Sequence, residues 1–180
     1  MSITPPDLRA DCTRCCGLCC VAPAFYAEQG FGFDKPAHQP CAHLRRDFRC
    51  AIHDGLGRHG FPACSTFDCY GAGQRVTQQL FGGRSWKSSP GLALRMFDAY
   101  RRYRLVHELM AMLSVAMTRA SAPDAVRLGH LRQMLDGLCE SAAVLGAECR
   151  IHALRTQVLA EVRRALALIP GTAPDPRSFD

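Results

Sequence analysis

Asp11-Cys12-Thr13-Arg14-Cys15-Cys16-Gly17-Leu18-Cys19-Cys20 packs five thiols into the nine residues from Cys12 to Cys20, and what holds those thiols decides how this half of the chain folds. Cys12 and Cys15 have the two-residue separation that lets successive thiolates converge on one ion. Gly17 permits the tight turn that brings Cys19 or Cys20 round to it. Five thiols so close together are poorly explained as inert buried side chains. Cys16 interrupts an otherwise regular spacing and is the candidate for a spare thiol. Cys19 and Cys20 are adjacent and point in different directions, so they could serve different centres, or one of them is a core residue.

Four more thiols follow, in Pro40-Cys41-Ala42-His43-Leu44, Asp47-Phe48-Arg49-Cys50, Gly60-Phe61-Pro62-Ala63-Cys64 and Phe67-Asp68-Cys69. They are too far apart for one local knuckle, so folding must carry them back to the first motif. Nine of the 11 cysteines therefore lie between Cys12 and Cys69, and Cys139 and Cys149 are expected in helix cores. The metal-ligating set is expected to be Cys12, Cys15, Cys19, Cys20, Cys41, Cys50, Cys64 and Cys69. Eight thiolates suit two four-thiolate sites or one multinuclear arrangement equally well. His43, His53 and His59 lie in the same half as secondary candidates, either as ligands or as hydrogen-bond donors to sulfur.

Composition narrows the classes. Met1-Ser2-Ile3-Thr4-Pro5-Pro6-Asp7 has neither the basic segment nor the apolar run of an export signal, so the thiols are expected to be cytoplasmic and reduced, and their economical use is metal. No run of eighteen apolar residues exists, so no membrane span is expected. Hydrophobic content of 48% and net charge +6 describe a folded chain that is mildly basic.

Near Gly82-Gly83-Arg84-Ser85 a glycine-, proline- and cysteine-rich half gives way to a helical one. The first half has apolar residues too scattered for a large core, so it needs a staple. In the second half, Ser89-Pro90 opens a helix with Leu92, Met96, Tyr100, Tyr103, His107, Met110, Ser114 and Met117 at three- and four-residue spacing. Ser121-Ala122-Pro123-Asp124 caps a second, carrying Leu128, Leu131, Leu135, Leu138, Ala142 and Leu145. A third begins near Glu148 with Ile151, Leu154, Val158, Val162, Leu166 and Ile169, and ends at Pro170-Gly171. The expected fold is mainly α: a small, irregular, metal-stapled cysteine-rich module at 11–80, a three-helix antiparallel bundle at 88–170 and a flexible tail at 171–180.

The cysteine pattern resembles the zinc- or iron-chelating cysteine-rich domain family, over roughly residues 11 to 75. The family text Cys-x2-Cys-Gly-x-Cys-Cys, then Cys-x2-Leu, Cys-x-Ile-Tyr and a final Cys-Arg-x-Phe region is similar to Cys12, Cys15, Cys19 and Cys20, with one residue more between Cys15 and Cys19; Cys41 with Leu44; Cys50 with Ile52 and, in place of Tyr, His53; and Cys64 with Phe67 and Cys69. Asp11-Cys12-Thr13-Arg14-Cys15 and Phe67-Asp68-Cys69-Tyr70-Gly71-Ala72-Gly73-Gln74 are also similar to the amino-terminal module of certain actinobacterial pentapeptide-repeat proteins, although this chain has no such repeats. The resemblance implies a chelated metal. Some flagellin lysine methylases carry a similar-looking module for an iron–sulfur cluster, but no glycine-rich methyl-donor site is present here.

The functional expectation is a metal-binding protein whose thiolate centre is structural or sensory rather than catalytic. Zinc is favoured over an iron–sulfur cluster because an all-thiolate tetrahedral site needs no assembly machinery or tuned potential. A thiol redox switch beside Arg14, Arg45, Arg46 and Arg49 is an alternative, as is an iron–sulfur-dependent enzyme component. Nucleic-acid binding through Arg45-Arg46 and Arg101-Arg102-Tyr103-Arg104 is weakly supported, because no recognition-helix spacing accompanies it. A Cys–His nucleophile, His43 or His53 beside Cys50 or Cys64, lacks a distinctive motif. The helical half is expected to offer a surface to a protein partner.

Overall fold

A computed structural model describes residues 7–140 and 146–167. The fold is mainly α-helical, and among the described residues the only β-pairings are two isolated bridges, Phe25 with Lys35 and Leu44 with Cys50. Helices α1 (Leu18–Val21), α2 (Pro62–Thr66) and α3 (Ala72–Gln74) are short. Helix α3 continues directly as a π-helix over Arg75–Leu80. Three long helices follow: α4 (Pro90–Met117), α5 (Ala122–Glu140) and α6 (Glu148–Ala167). None of the described helices is long and apolar enough to cross a membrane.

The chain divides into two compact units, Pro6–Arg104 and the chain from Leu105 onward. The first unit runs past the glycine pair at 82 and 83, where the change of composition lies. The reason is aromatic packing from the start of α4. Phe97 stacks on His38, with centroids 5.2 Å apart, and meets Trp86 at 6.0 Å. Ser89 starts α4 by accepting the Leu92 N–H on its hydroxyl at 3.3 Å, the cap its sequence position announces. Leu92, Met96, Tyr100 and Tyr103 are then buried as their spacing requires.

In the second unit, Val106, His107, Leu109, Met110 and Leu113 of α4 are buried, whereas Met117, placed on the same stripe by its spacing, is exposed. Helix α5 packs against α6, burying Leu128, Leu135 and Leu138 on one and Ile151, Leu154, Val158 and Val162 on the other. Its start is capped as the sequence indicates, with the Ser121 hydroxyl donating to the Asp124 carboxylate and accepting the Asp124 N–H. Cys139 is buried, but Cys149, expected in a helix core, is exposed, since its place beside Ile151 on α6 turns it to the polar side. Ala142, Leu145, the side chain of Leu166, Ile169, Pro170 and the tail at 171–180 lie outside the described residues.

Candidate metal centre

Each thiol is placed by a short local device. Asp11 accepts the Thr13 N–H at 2.9 Å and the Thr13 hydroxyl at 2.6 Å, which winds Cys12–Arg14 into one 3-10 turn. Gly17 has φ of +71°, and a Cβ there would lie 2.8 Å from Leu44 Cδ1, so only glycine fits this left-handed turn under its neighbour. The turn starts α1, whose Leu18 and Val21 are fully buried and whose Cys19 and Cys20 are carried between them. The Cys19 and Cys20 sulfurs lie 3.8 Å apart.

The later thiols return to α1 through backbone pairing. The Cys41 N–H donates to the Cys20 carbonyl at 2.8 Å. The tight turn around Phe48, with φ of 65°, closes through Arg45 and Arg49 and through the Ala51 N–H to the His43 carbonyl, so Cys50 comes back beside Cys41. Cys64 rides on α2, whose approach is set by Phe61, 2% exposed and packed edge-on against the rings of Phe33 and His43. Gly32 lies flat on that ring, since a Cβ there would sit 2.6 Å from it.

Cys69 is brought to the first motif by the helix that follows it. Gln74 clamps the amino-terminal segment with both ends of its amide, accepting the Asp11 N–H at 2.9 Å and donating to the Arg9 carbonyl at 2.7 Å, and Gln78 donates to the Arg14 carbonyl at 2.8 Å. Gly73 makes the approach close: a Cβ on it would lie 2.6 Å from Cys15 Sγ and 3.9 Å from Cys69 Sγ. Gly73→Ala is therefore expected to cost about 1–3 kcal/mol in a urea melt through overpacking. Gly91→Ala, which meets open space, is the matched control and should change little. A Gly73 variant as stable as the parent would show that Cys15 has room to move.

The result is a cavity of about 320 Å³ whose wall includes Cys12, Cys19, Cys20, Cys41, Cys50, Cys64 and Cys69, with Phe25, Phe31, Ile52 and Leu56 between them. A small gap of about 20 Å³ is bounded by Cys12, Cys15, Cys19 and Cys69, so it shares three thiols with the larger space. All eight cysteines expected as ligands thus border these two spaces. Among the described residues no three Cys, His, Asp or Glu side chains are already placed to hold one ion. The thiols stand around the cavity rather than drawn together.

Cys16 sits apart from both spaces. It is buried at 3% exposure, its N–H donates to the Thr77 hydroxyl at 3.2 Å and its sulfur lies 3.4 Å from the same oxygen. Thr77 donates its own proton to the Gly73 carbonyl, so the Cys16 thiol is the donor in that contact. Trp86 Nε1 donates to the Cys16 carbonyl at 2.8 Å and locks the residue in the core.

Burial dominates the electrostatics of the thiols. It pushes Cys15 up to about 12, against backbone N–H groups of Leu18 and Gly17 that point at its sulfur. It pushes Cys64 up to about 11, with the neighbouring Cys19, Cys41 and Cys50 sulfurs adding to the effect. Cys12 and Cys69 are also raised by burial, and N–H groups of Gly73 and Gly71 pull the Cys69 thiol back toward ionisation. Cys19 is raised most by its contact with Cys20. Gathering the charge of so many thiolates here is unfavourable unless a cation shares the space. The donor set fits a thiophilic metal: soft sulfur ligands, backbone N–H groups turned onto two of them, and mutual repulsion that a cation would relieve.

The histidines divide. His43 and His53 border the larger cavity, His43 as an aromatic packing partner of Phe61 and His53 beside Asp54 at 3.5 Å, while His59 is exposed and borders neither space. Part of each basic run is paired locally. Arg45 pairs with Asp47, and Arg101 and Arg102 both pair with Asp98, at 3.3 and 3.1 Å.

Three residues of the site carry no sequence motif. Lys35, 4% exposed, is buried beside the Cys20–Cys41 pairing, its ammonium donating to backbone carbonyls of Val21, Pro23, Pro36 and Gln39. Gln74 is the clamp described above. Tyr100 of α4 borders the small gap, and burial together with the charges of Cys19, Cys69 and Cys15 raises it far above an ordinary phenol, so it remains an O–H group. The Gly71-Ala72-Gly73 run was the one signal in the sequence that a backbone must pass close to something here.

No family model and no solved structure matches the chain. It is 41% identical over 112 residues, 62% of its length, to "Uncharacterized protein YybG" of Bacillus subtilis (strain 168). That likeness concerns a part of the relative, since the chain spans 40% of its length.

Proposed function

We propose that residues 11–80 form a metal-stapled module in which Cys12, Cys15, Cys19, Cys20, Cys41, Cys50, Cys64 and Cys69 supply thiolates to a structural or sensory metal centre. The carrying observation is that seven of these thiols share the wall of one cavity and the eighth, Cys15, joins three of them around the adjoining gap. Binding draws the side chains inward from that wall. The resemblance of the cysteine pattern to the zinc- or iron-chelating family supports the same reading. Zinc is the metal of choice, at four thiolates per ion. An iron–sulfur cluster is the second reading, favoured by a cavity of about 320 Å³, which has room for inorganic sulfide between the thiols.

The test is anaerobic purification followed by elemental analysis and an ultraviolet–visible spectrum. A colourless protein with about two zinc ions per chain is expected, four thiolates serving each. Cys16→Ala should keep that content, and Cys19→Ala should lose at least half of it. A brown protein with iron and acid-labile sulfide selects the cluster. A protein without metal whose thiols oxidise in pairs leaves the redox-switch reading in place of both.

A further inference from the structure

We propose that the Tyr100 hydroxyl donates a hydrogen bond to the four-thiolate group Cys12, Cys15, Cys19 and Cys69, an inference that rests on the metal reading above and adds a tuning residue to it. The gap bounded by these four side chains has about 20 Å³, room for one small guest, and Tyr100 forms part of its wall. Tyr100 is 2% exposed, and its oxygen has no hydrogen-bond partner among the described residues. A buried hydroxyl without a partner calls for an explanation, because phenylalanine would fill the same space at no such cost.

The other polar side chains around the gap have partners of their own. Gln74 uses its amide oxygen on the Asp11 N–H and its amide nitrogen on the Arg9 carbonyl. Asp11 holds Thr13 through Oδ1, which accepts both the Thr13 N–H and its hydroxyl. The sulfurs of Cys19, Cys69 and Cys15 act most strongly on the phenol, and the Arg104 guanidinium, also near it, has only donors and cannot take the hydroxyl proton. A thiol accepts hydrogen bonds weakly, but a thiolate bound to a cation accepts them well, so the hydroxyl finds its partner when the group is loaded. In that state Tyr100, reaching in from α4, withdraws charge from a ligand sulfur and adjusts how tightly the ion is held.

The experiment loads cobalt(II), whose sulfur-to-metal absorption reports directly on the ligand sulfurs, into the reduced full-length chain and into Tyr100→Phe. Tyr103→Phe, which removes a hydroxyl from the same helix, is the packing control. Tyr100→Phe is expected to take up the same amount of cobalt, with the sulfur-to-metal band moved to lower energy and affinity for part of the bound metal reduced about tenfold. Tyr103→Phe should move neither. An unchanged band and affinity in Tyr100→Phe, with cobalt bound normally, would overturn the assignment while leaving the metal centre standing. Failure of the parent chain to bind cobalt or zinc would overturn the centre and the assignment together.

Discussion

Lys35→Met is expected to remove about 3–5 kcal/mol of stability from the Pro6–Arg104 unit, the largest single-residue effect outside the cysteines. The ammonium is enclosed by carbonyls of Val21 at 3.4 Å, Pro23 at 2.5 Å, Pro36 at 2.9 Å and Gln39 at 2.9 Å, and it lies 4.8 Å above the Phe25 ring. Three ammonium protons serve four acceptors, so the longest contact is a shared one. Methionine matches the length and leaves those oxygens without the ammonium donor beside the Phe25 ring. Each carbonyl so stranded costs about 1–3 kcal/mol, though backbone relaxation will recover part of the sum. Lys35→Arg keeps the charge, but a planar fork cannot face carbonyls that approach from several sides, so an intermediate loss is expected. Trp86 is the only tryptophan and lies in this unit, so its fluorescence in a urea titration reads the transition directly. A loss below about 1 kcal/mol for Lys35→Met would mean that the loops from Val21 to Gln39 are held by something else.

That lysine also shows where reading the sequence stops. Asp34-Lys35-Pro36 looks like a charged turn, and nothing in its composition signals burial, because the acceptors come from backbone that no side-chain pattern encodes. Tyr100 was legible only as a core residue of α4, since helical spacing says which face is buried and not what it is buried against. The Gln74 clamp was invisible for a related reason: a side-chain amide clamping a distant segment leaves no periodic trace. The long helices were legible because Leu92, Met96, Tyr100 and Tyr103, or Ile151, Leu154, Val158 and Val162, repeat often enough for the period to stand out. The separation of the later cysteines led to the expectation that they return toward the first motif; in the structure they stand along the wall of a cavity, with no three of Cys, His, Asp or Glu placed to hold one ion among the described residues. The cavity they surround was not foreseen, because its walls are set by Phe25, Phe31 and Phe61, aromatic residues whose mutual packing depends on tertiary contacts between distant loops.

Withdrawal of the proposed metal is expected to unfold the cysteine-rich segment from about Cys12 to Cys69 while α5 and α6 remain helical. The apolar core around the thiols is small: Phe25, Cys41 and Phe61 are buried, and Phe33, Leu44, Ile52 and Leu56 pack against them only partly covered. The helices there have four and five residues, far below the roughly 12–15 at which a helix persists unaided. Two isolated bridges add little. A thiolate-bound structural zinc contributes roughly 10–16 kcal/mol of apparent binding free energy in zinc-finger peptides, more than a core of this size can supply. The contrast lies in the second unit, where Leu128, Leu135, Ile151 and Val158 are fully or almost fully buried and no cysteine arrangement is needed. A strong chelator under reducing conditions, which also prevents disulfides from replacing the staple, should shift Trp86 emission toward that of exposed indole. Backbone amides of residues 12–69 should then exchange freely, while those inside α5 and α6 stay protected. Far-ultraviolet circular dichroism should keep most of its helical signal, since the long helices carry it. Restoring zinc should reverse both changes. Unchanged emission and exchange after complete metal removal would show that the loops around the cavity fold without a staple, which would turn the centre's role from holding the fold to sensing through it.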